Sequence, residues 1–257
     1  MPPPLFISLA YSPWSEKARW ALDHHRIRYT PVAFQPLLDE PRLRLRMHKL
    51  RGRLSVPLLF DGERWIEDSF AIAAWAESHG SAPHLFPTGE RPAIERFNQL
   101  SERGLEAGRA LGLDRLLRDP EALADLVPRP LRARLGPLAP RIAALGIRRT
   151  IRKYRADALP LAEHHRRLAA VLDDLRAALA AAPAPVHGPP TLLGRFTYAD
   201  ITAAQILQFV APRDLGGFRL KPAGQRCYRV EDLARDYADL IAWRDALYAA
   251  HRPPPAT

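Results

Sequence analysis

The sequence predicts two unlike parts. Residues 1–80 read as an α+β domain of order βαβ then ββα, and residues 91–250 as an all-α helical bundle. Short apolar runs rich in strand formers cluster before Gly80. An Asp61-Gly62 pair separates two of those runs, a strong short-range hairpin signal. Beyond Pro83 the apolar residues recur at helical spacing, with no strand pattern.

The elements follow in order. Leu5–Ala10 is a continuous apolar run and reads as a buried strand. After a turn at Tyr11-Ser12-Pro13, Trp14–His25 reads as a helix, and Pro13 suits a first turn because its missing N–H has no helical partner there. Ala18, Ala21, Leu22 and His25 lie at i, i+3, i+4 and i+7 and form its buried face. Tyr29–Phe34 is the next strand, closing a βαβ unit of the kind that builds a parallel pair. Residues 35–54 are basic and read as irregular. Ser55–Phe60 and Glu63–Ile66 form the hairpin, with Pro57 at a strand edge or a special turn. Phe70–Ala76 is an alanine-rich helix capped by Asp68 or Ser69. Gly, Pro and Ser concentrate over Gly80–Pro92, the expected boundary. Helices are expected over 91–118, 121–127, 140–156, Leu161–Ala182, from Phe196 to Val210, and over Asp232–Ala250, with a Pro-rich break at Pro183–Pro190 and a frayed tail over 251–257.

Composition narrows the function classes. The 257 residues are 47% hydrophobic, which fits a folded chain of one large or two small domains. Lys and Arg number 38 against 28 Asp and Glu, a net charge of +10. There is no zinc-finger spacing, aromatic RNA-binding motif or lysine-rich tail, so the surplus reads as a solvated surface and no nucleic-acid partner is expected. The single Cys227 excludes an intramolecular disulfide, a Cys-x-x-Cys pair and a multi-cysteine zinc site. The start has no basic n-region, and no run approaches 18 apolar residues. Neither a signal peptide nor a membrane span is expected, and a cytoplasmic protein is the default.

Four local features then carry a resemblance: Ser12-Pro13-Trp14-Ser15 after the first strand, Val56-Pro57, Glu67-Asp68-Ser69 at a strand-to-helix junction, and Phe196-Thr197-Tyr198-Ala199-Asp200. In this order the chain resembles the cytosolic glutathione S-transferases, of the serine-type, bacterial-like kind. The resemblance is strong over residues 5–78, fair over 190–212 and weak over 119–160. It implies a thioredoxin-like glutathione-binding domain over 1–80, a helical domain over 91–250, glutathione as co-substrate, no metal, and a homodimer active in detoxification.

The turn at residues 12–15 has serines where thioredoxin-like redox proteins carry a Cys-x-x-Cys pair, so disulfide exchange through it is excluded. A hydroxyl at a helix N-terminus can instead donate to a thiolate, and the helix end adds partial positive charge. A free thiol with a pKa of about 8.5 is only about 3% ionised at pH 7, and lowering it by two units takes about 2.7 kcal/mol. The resemblance puts Ser12 first as this donor, Ser15 second and Tyr11 third, with Trp14 beside them. The plainer reading leaves both serines as helix caps. Val56 and Pro57 match the family's cis-proline, where the peptide backbone of glutathione docks as an added strand. Ser69 and Asp68, with Glu67 as a substitute, match the hold on the γ-glutamyl end. For the glycine carboxylate the candidates are Lys49, Arg53, His48 and Arg42. Here the chain departs from the family: Arg51-Gly52-Arg53-Leu54-Ser55 stands where many members have Asn-Pro-x-Gly-Lys.

The second substrate, a hydrophobic electrophile, is expected between the domains along helix 91–118, with Arg103, Leu105, Arg109 and Tyr154 as lining residues. Residues 119–160 exceed the family's usual connection and read as a cover over the pocket or a protein contact. Two rival readings use the same layout: glutathione-dependent isomerisation, dehalogenation or ether cleavage, and a non-catalytic binding or interaction protein. Thr197-x-x-Asp200 is a capping-box pattern, with Phe196 and Ile201 as its staple, and marks folding rather than chemistry. The pairs His24-His25 and His164-His165 point about 100° apart on a helix and make poor metal clamps. Cys227 reads as a buried thiol, and Arg148, Arg149, Arg152, Lys153 and Arg155 as a solvated basic stripe.

Overall fold

The computed structural model describes residues 2–35, 39–49, 51–185, 187–215 and 218–252. Strand β1 (Leu5–Ser8) leads through helix α1 (Pro13–His24) to strand β2 (Thr30–Ala33). Helix α2 (Glu40–Arg46), the hairpin β3 (Leu58–Asp61) and β4 (Arg64–Glu67), and helix α3 (Ser69–His79) follow. The sheet order is β2-β1-β3-β4. β1 and β2 are parallel, as the βαβ order requires, and the other two pairings are antiparallel. Ile7 lies opposite Val32 on one side and Leu58 on the other.

The stretch expected to be irregular contains α2. Its reason is the second face of the sheet. Leu43 and Met47, four residues apart among arginines, are buried with Ile7, Phe34, Leu54, Leu58 and Phe60 in a small core of their own. Two apolar residues suffice for one helical stripe when the other positions face water. The four predicted strands and two predicted helices of this half otherwise agree with the observed elements to within three residues.

The helical half begins with α4 (Arg91–Arg118), 28 residues and about 42 Å long. Then come α5 (Pro120–Asp125), α6 (Arg129–Leu135), a 3₁₀ turn, and α7 (Ala139–Tyr154). Helix α8 is Leu161–Ala180, and α9 (Tyr198–Ala204) runs on as a 3₁₀ segment, Gln205–Phe209. The chain closes with α10 (Pro222–Tyr228), α11 (Glu231–Asp236) and α12 (Ala238–His251). Helices α6 and α10 were not expected, and the single helix expected over Asp232–Ala250 is two, divided at Tyr237. The expected frayed tail falls into two parts. His251 ends α12 and Arg252 is ion-paired, whereas residues 253–257 lie outside the described residues.

Helix α1 is buried beyond its predicted face. Ala18, Ala21, Leu22 and His25 are covered as expected, but so are Glu16, Lys17 and Trp20. The helical half supplies the extra cover: Trp20 Nε1 donates to the His251 carbonyl at 3.1 Å, and its ring lies 4.4 Å from that of Tyr248 in a tilted contact. The main core is therefore continuous from Phe6 and Leu59 through α1 and α3 to Leu172, Ile206 and Leu247. The Thr197–Asp200 capping box is present, and the Asp200 carboxylate also accepts from the Leu192 N–H at 2.8 Å.

Candidate functional site

A cavity of about 430 Å³ opens between the sheet domain and helices α4 and α7. One wall is made by chain turns: the β1–α1 turn with Tyr11, Ser12 and Trp14, the cis Val56-Pro57 bond, and the β4–α3 junction of Glu67, Asp68 and Ser69. Arg109 on α4, Tyr154 at the end of α7, and Phe209 and Tyr228 form the other.

At the first turn the two serines separate. Ser12 is the N-cap of α1; its Oγ accepts from the Ser15 N–H at 3.4 Å and faces the cavity. Accepting that bond leaves the hydroxyl proton uncommitted. Ser15 is fully buried, its Oγ accepts from the Leu9 N–H at 3.2 Å, and it does not line the cavity. Tyr11 lines the cavity with its ring 6.0 Å from Phe218, and burial holds its phenol protonated to higher pH than usual.

At the β4–α3 junction, Asp68 adopts φ +86° and caps α3, accepting from the Phe70 N–H at 2.7 Å and the Ala71 N–H at 3.3 Å. Burial raises its carboxyl above the usual range. Ser69 beside it is buried, next to the Tyr198 hydroxyl. Glu67 accepts from Lys49 Nζ at 2.8 Å and from the Ser55 N–H and hydroxyl at 3.4 Å. That pairing turns Lys49 to Glu67, and Lys49 does not line the cavity. Arg42 and His48 are exposed and also outside the lining, which leaves Arg53 as the glycine-end candidate on the cavity wall.

Sequence reasoning missed a charged cluster behind the turn. Glu102 on α4 accepts from Trp14 Nε1 at 2.7 Å and from the fully buried Lys17 Nζ at 2.8 Å. Burial lowers the Lys17 pKa although Glu102 opposes it, and Lys17 in turn holds Glu102 below its ordinary value. The cluster fixes Trp14 against the cavity. Its only sequence trace is a lysine close to the β1–α1 turn, because the partner lies 85 residues away.

The opposite wall is a series of rings and cations. The Arg109 guanidinium sits 4.7 Å from the centre of the Trp14 ring and 3.9 Å from that of Tyr154, and Arg53 sits 4.4 Å from Tyr154. Burial lowers the Arg109 pKa, and its Nε is buried with no hydrogen-bond partner. Of the four residues proposed for this wall, Arg109 and Tyr154 line the cavity and two do not. Arg103 is exposed, and Leu105 is fully buried. They fall on the wrong faces because α4 presents its cavity side at Glu102, Glu106, Arg109 and Leu113, a spacing of four, three and four. The segment over 119–160 covers the cavity. Leu126, Ile147, Thr150 and Lys153 join the lining, Arg149 pairs with Glu40 at 2.9 Å, and Lys153 Nζ donates to the Leu54 carbonyl. Part of the basic stripe is therefore an inter-domain clasp.

Among the described residues no helix is long and apolar enough to cross a membrane, and no group of three or more His, Cys, Asp or Glu is arranged to hold a metal ion. Cys227 is buried, and burial raises its thiol pKa.

Residues 11–79 match the family model described as glutathione S-transferase, N-terminal domain. No curated protein sequence matches the chain. Solved structures do. A glutathione transferase from Phanerochaete chrysosporium is 18% identical over 99% of this chain and 100% of its own, with a TM-score of 0.64. A glutathione S-transferase of Ceriporiopsis subvermispora, in complex with glutathione, is 18% identical over 97% and 95%, at 0.59. A β-etherase from Sphingobium sp. strain SYK-6 is 16% identical over 98% and 96%, at 0.61. Residues 11–79 of the chain thus match the N-terminal domain of glutathione S-transferases, and the chain as a whole has the glutathione-transferase fold, a thioredoxin-like sheet domain followed by a helical domain.

Proposed function

We propose that the protein binds glutathione along the turn-built wall and directs its thiolate at an electrophile held against Arg109 and Tyr154. The observation that carries this is one cavity bringing Ser12, Pro57, Asp68 and Ser69 to face α4 and α7. The tripeptide has a carboxylate and an ammonium at its γ-glutamyl end. Ser69 and the α3 N-terminus suit the first, and the Asp68 carboxylate suits the second. Its central residue lies along Val56, and its glycine carboxylate meets Arg53. Ser12, with its proton free and the α1 N-terminus behind it, donates to the sulfur in a serine-type arrangement. The sulfur then forms a bond to the electrophilic carbon, the leaving group departs with its electron pair, and the thiol proton goes to solvent. The reading extends to a cytoplasmic homodimer, the setting and assembly that the family resemblance implies.

The β-etherase among the similar structures favours one second reading, in which the same thiolate displaces an alkoxide or phenolate from an ether. Release of the free phenol separates it from halide displacement. The test of the first reading is an ultraviolet difference titration of glutathione with the purified protein across pH. A thiolate band well below the free thiol's pKa of about 8.5 is expected. Ser12→Ala should shift that band back toward the free value, while Tyr11→Phe should not. No binding at millimolar glutathione would overturn the reading and leave a non-catalytic protein with a transferase fold.

A further inference from the structure

The second-substrate pocket has a cation with no directly paired anion among the described residues. The Arg109 guanidinium is covered by the rings of Trp14 and Tyr154, at 4.7 and 3.9 Å. Its Nε is buried without a hydrogen-bond partner, and no ion pair to it is made among the described residues. None of the acidic residues that share the lining makes a direct ion pair with Arg109. Glu102 receives Trp14 and Lys17, Glu67 receives Lys49, Asp68 caps α3, and Glu106 is exposed and, like Glu102, attracts Arg109 only through space.

Arg109 is half-buried, and holding its charged guanidinium against rings without a direct partner costs hydration that the rings restore only in part. An arginine covered on its faces keeps its N–H edge for binding, a planar fork that fits a carboxylate in two parallel bonds. Around it the pocket is aromatic and apolar: Phe209 lies 6.1 Å from Trp14 and 5.3 Å from Tyr228, with Leu113 and Ile147 nearby. A neutral hydrophobic electrophile would fill those walls and leave Arg109 unmatched. A flat acid would satisfy both.

We propose that Arg109 is the anion-recognising residue of this pocket, and that the second substrate it selects is a planar aromatic or unsaturated carboxylic acid. Its position as second substrate rests on the glutathione reading above; the anion site itself does not.

The test uses a matched, unreactive pair, 3-nitrobenzoate and 3-nitrobenzamide, titrated by calorimetry into the full chain with and without saturating glutathione. The benzoate is expected to bind at least about ten-fold more tightly than the amide, a difference of about 1.4 kcal/mol. Arg109→Gln should bring that ratio close to one, and Arg109→Lys should leave only part of it, because an ammonium lacks the planar fork. Equal binding of the two probes by the wild type, or no binding of either at millimolar concentration, would overturn the proposal. So would a preference that survives Arg109→Gln. Should Arg109→Gln not fold, Arg109→Lys decides, since an undiminished preference there is equally fatal. Strict competition between glutathione and benzoate would also overturn it, because Arg109 would then be holding the carboxylate of glutathione. Glutathione titrated alone keeps the two readings apart. If glutathione does not bind while the benzoate preference holds, the anion site stands and the glutathione reading falls.

Discussion

The hydroxyls of Ser12 and Ser15 stand three residues apart yet meet different surroundings. Ser12 faces the cavity with its proton free, while Ser15 is sealed beneath the turn and accepts from the Leu9 N–H. Removing the Ser15 hydroxyl strands a part-buried backbone donor. Ser15→Ala should therefore destabilise the fold by about 1–3 kcal/mol in urea melts while leaving the pKa of bound glutathione's thiol where it was. A Ser15→Ala protein of full stability with a shifted thiol would reverse these two assignments. Asp200 offers a test at the same scale. Burial lifts its carboxyl to about 6, against about 3.9 in an unfolded chain. Between about pH 4 and pH 6 the unfolded chain has released this proton while the folded chain still holds it. Raising the pH through that window therefore lowers stability, by up to about 3 kcal/mol from this group. Asp200→Asn removes the titration, so its penalty relative to the wild type should be larger at pH 4 than at pH 7. Urea melts at the two pH values check this, and a penalty that does not change with pH would refute it.

At the scale of elements, the cavity's far wall depends on how closely other segments approach α4. A Cβ on Gly108 would stand 2.4 Å from Phe209 Cβ, and one on Gly112 would stand 2.5 Å from the Tyr228 ring. These two glycines, four residues apart, let the 3₁₀ segment and α10 lie directly on the helix. The pocket's aromatic wall follows from that contact. Gly108→Ala should cost about 1–3 kcal/mol by overpacking and should also weaken binding of aromatic probes, because Phe209 has to move. Calorimetric melts and probe titration on one preparation separate the two effects. Unchanged stability and unchanged probe affinity would show that the segment yields without consequence. Helix α2 makes the complementary point about legibility. Its arginines dominate the local composition, and the apolar pair Leu43 and Met47 acquires meaning only against the sheet face that it covers.

Over the whole molecule the two halves are joined by buried charge as well as by the shared core. Arg252, just past α12, pairs with Glu16 and Asp23 of α1 at 2.8 Å in each case, and both carboxylate side chains are fully buried. Removing Arg252 leaves Glu16 still with Arg19 and Asp23 still with the Tyr29 hydroxyl, and breaking such a buried group typically costs up to about 3–5 kcal/mol. Arg252→Met is expected to lower stability by that order, and truncation after His251 should do the same. A melt unchanged by either would show that α12 is anchored by its apolar face alone. The same junction governs the site, because the helical half packs on α1 and α1 carries Ser12 and Trp14 at its start.

The sequence by itself determined the element order of the first half, the split into a sheet domain and a helical domain, and the three turns that face the cavity. Those signals are local: short apolar runs, period-3.6 patterning, an Asp-Gly hairpin, Ser-Pro and Val-Pro turns, and a capping box are each complete within a dozen residues. Only the tertiary structure decided which face of α4 meets the cavity, so that Arg109 lines it and Arg103 and Leu105 do not. It also decided that Lys49 turns to Glu67 and that Glu102 reaches back to Trp14 and Lys17. Each of those outcomes joins residues tens of positions apart. Spacing along the chain says which side chains share a helix face, but which partner covers that face is set by the packing of one half on the other.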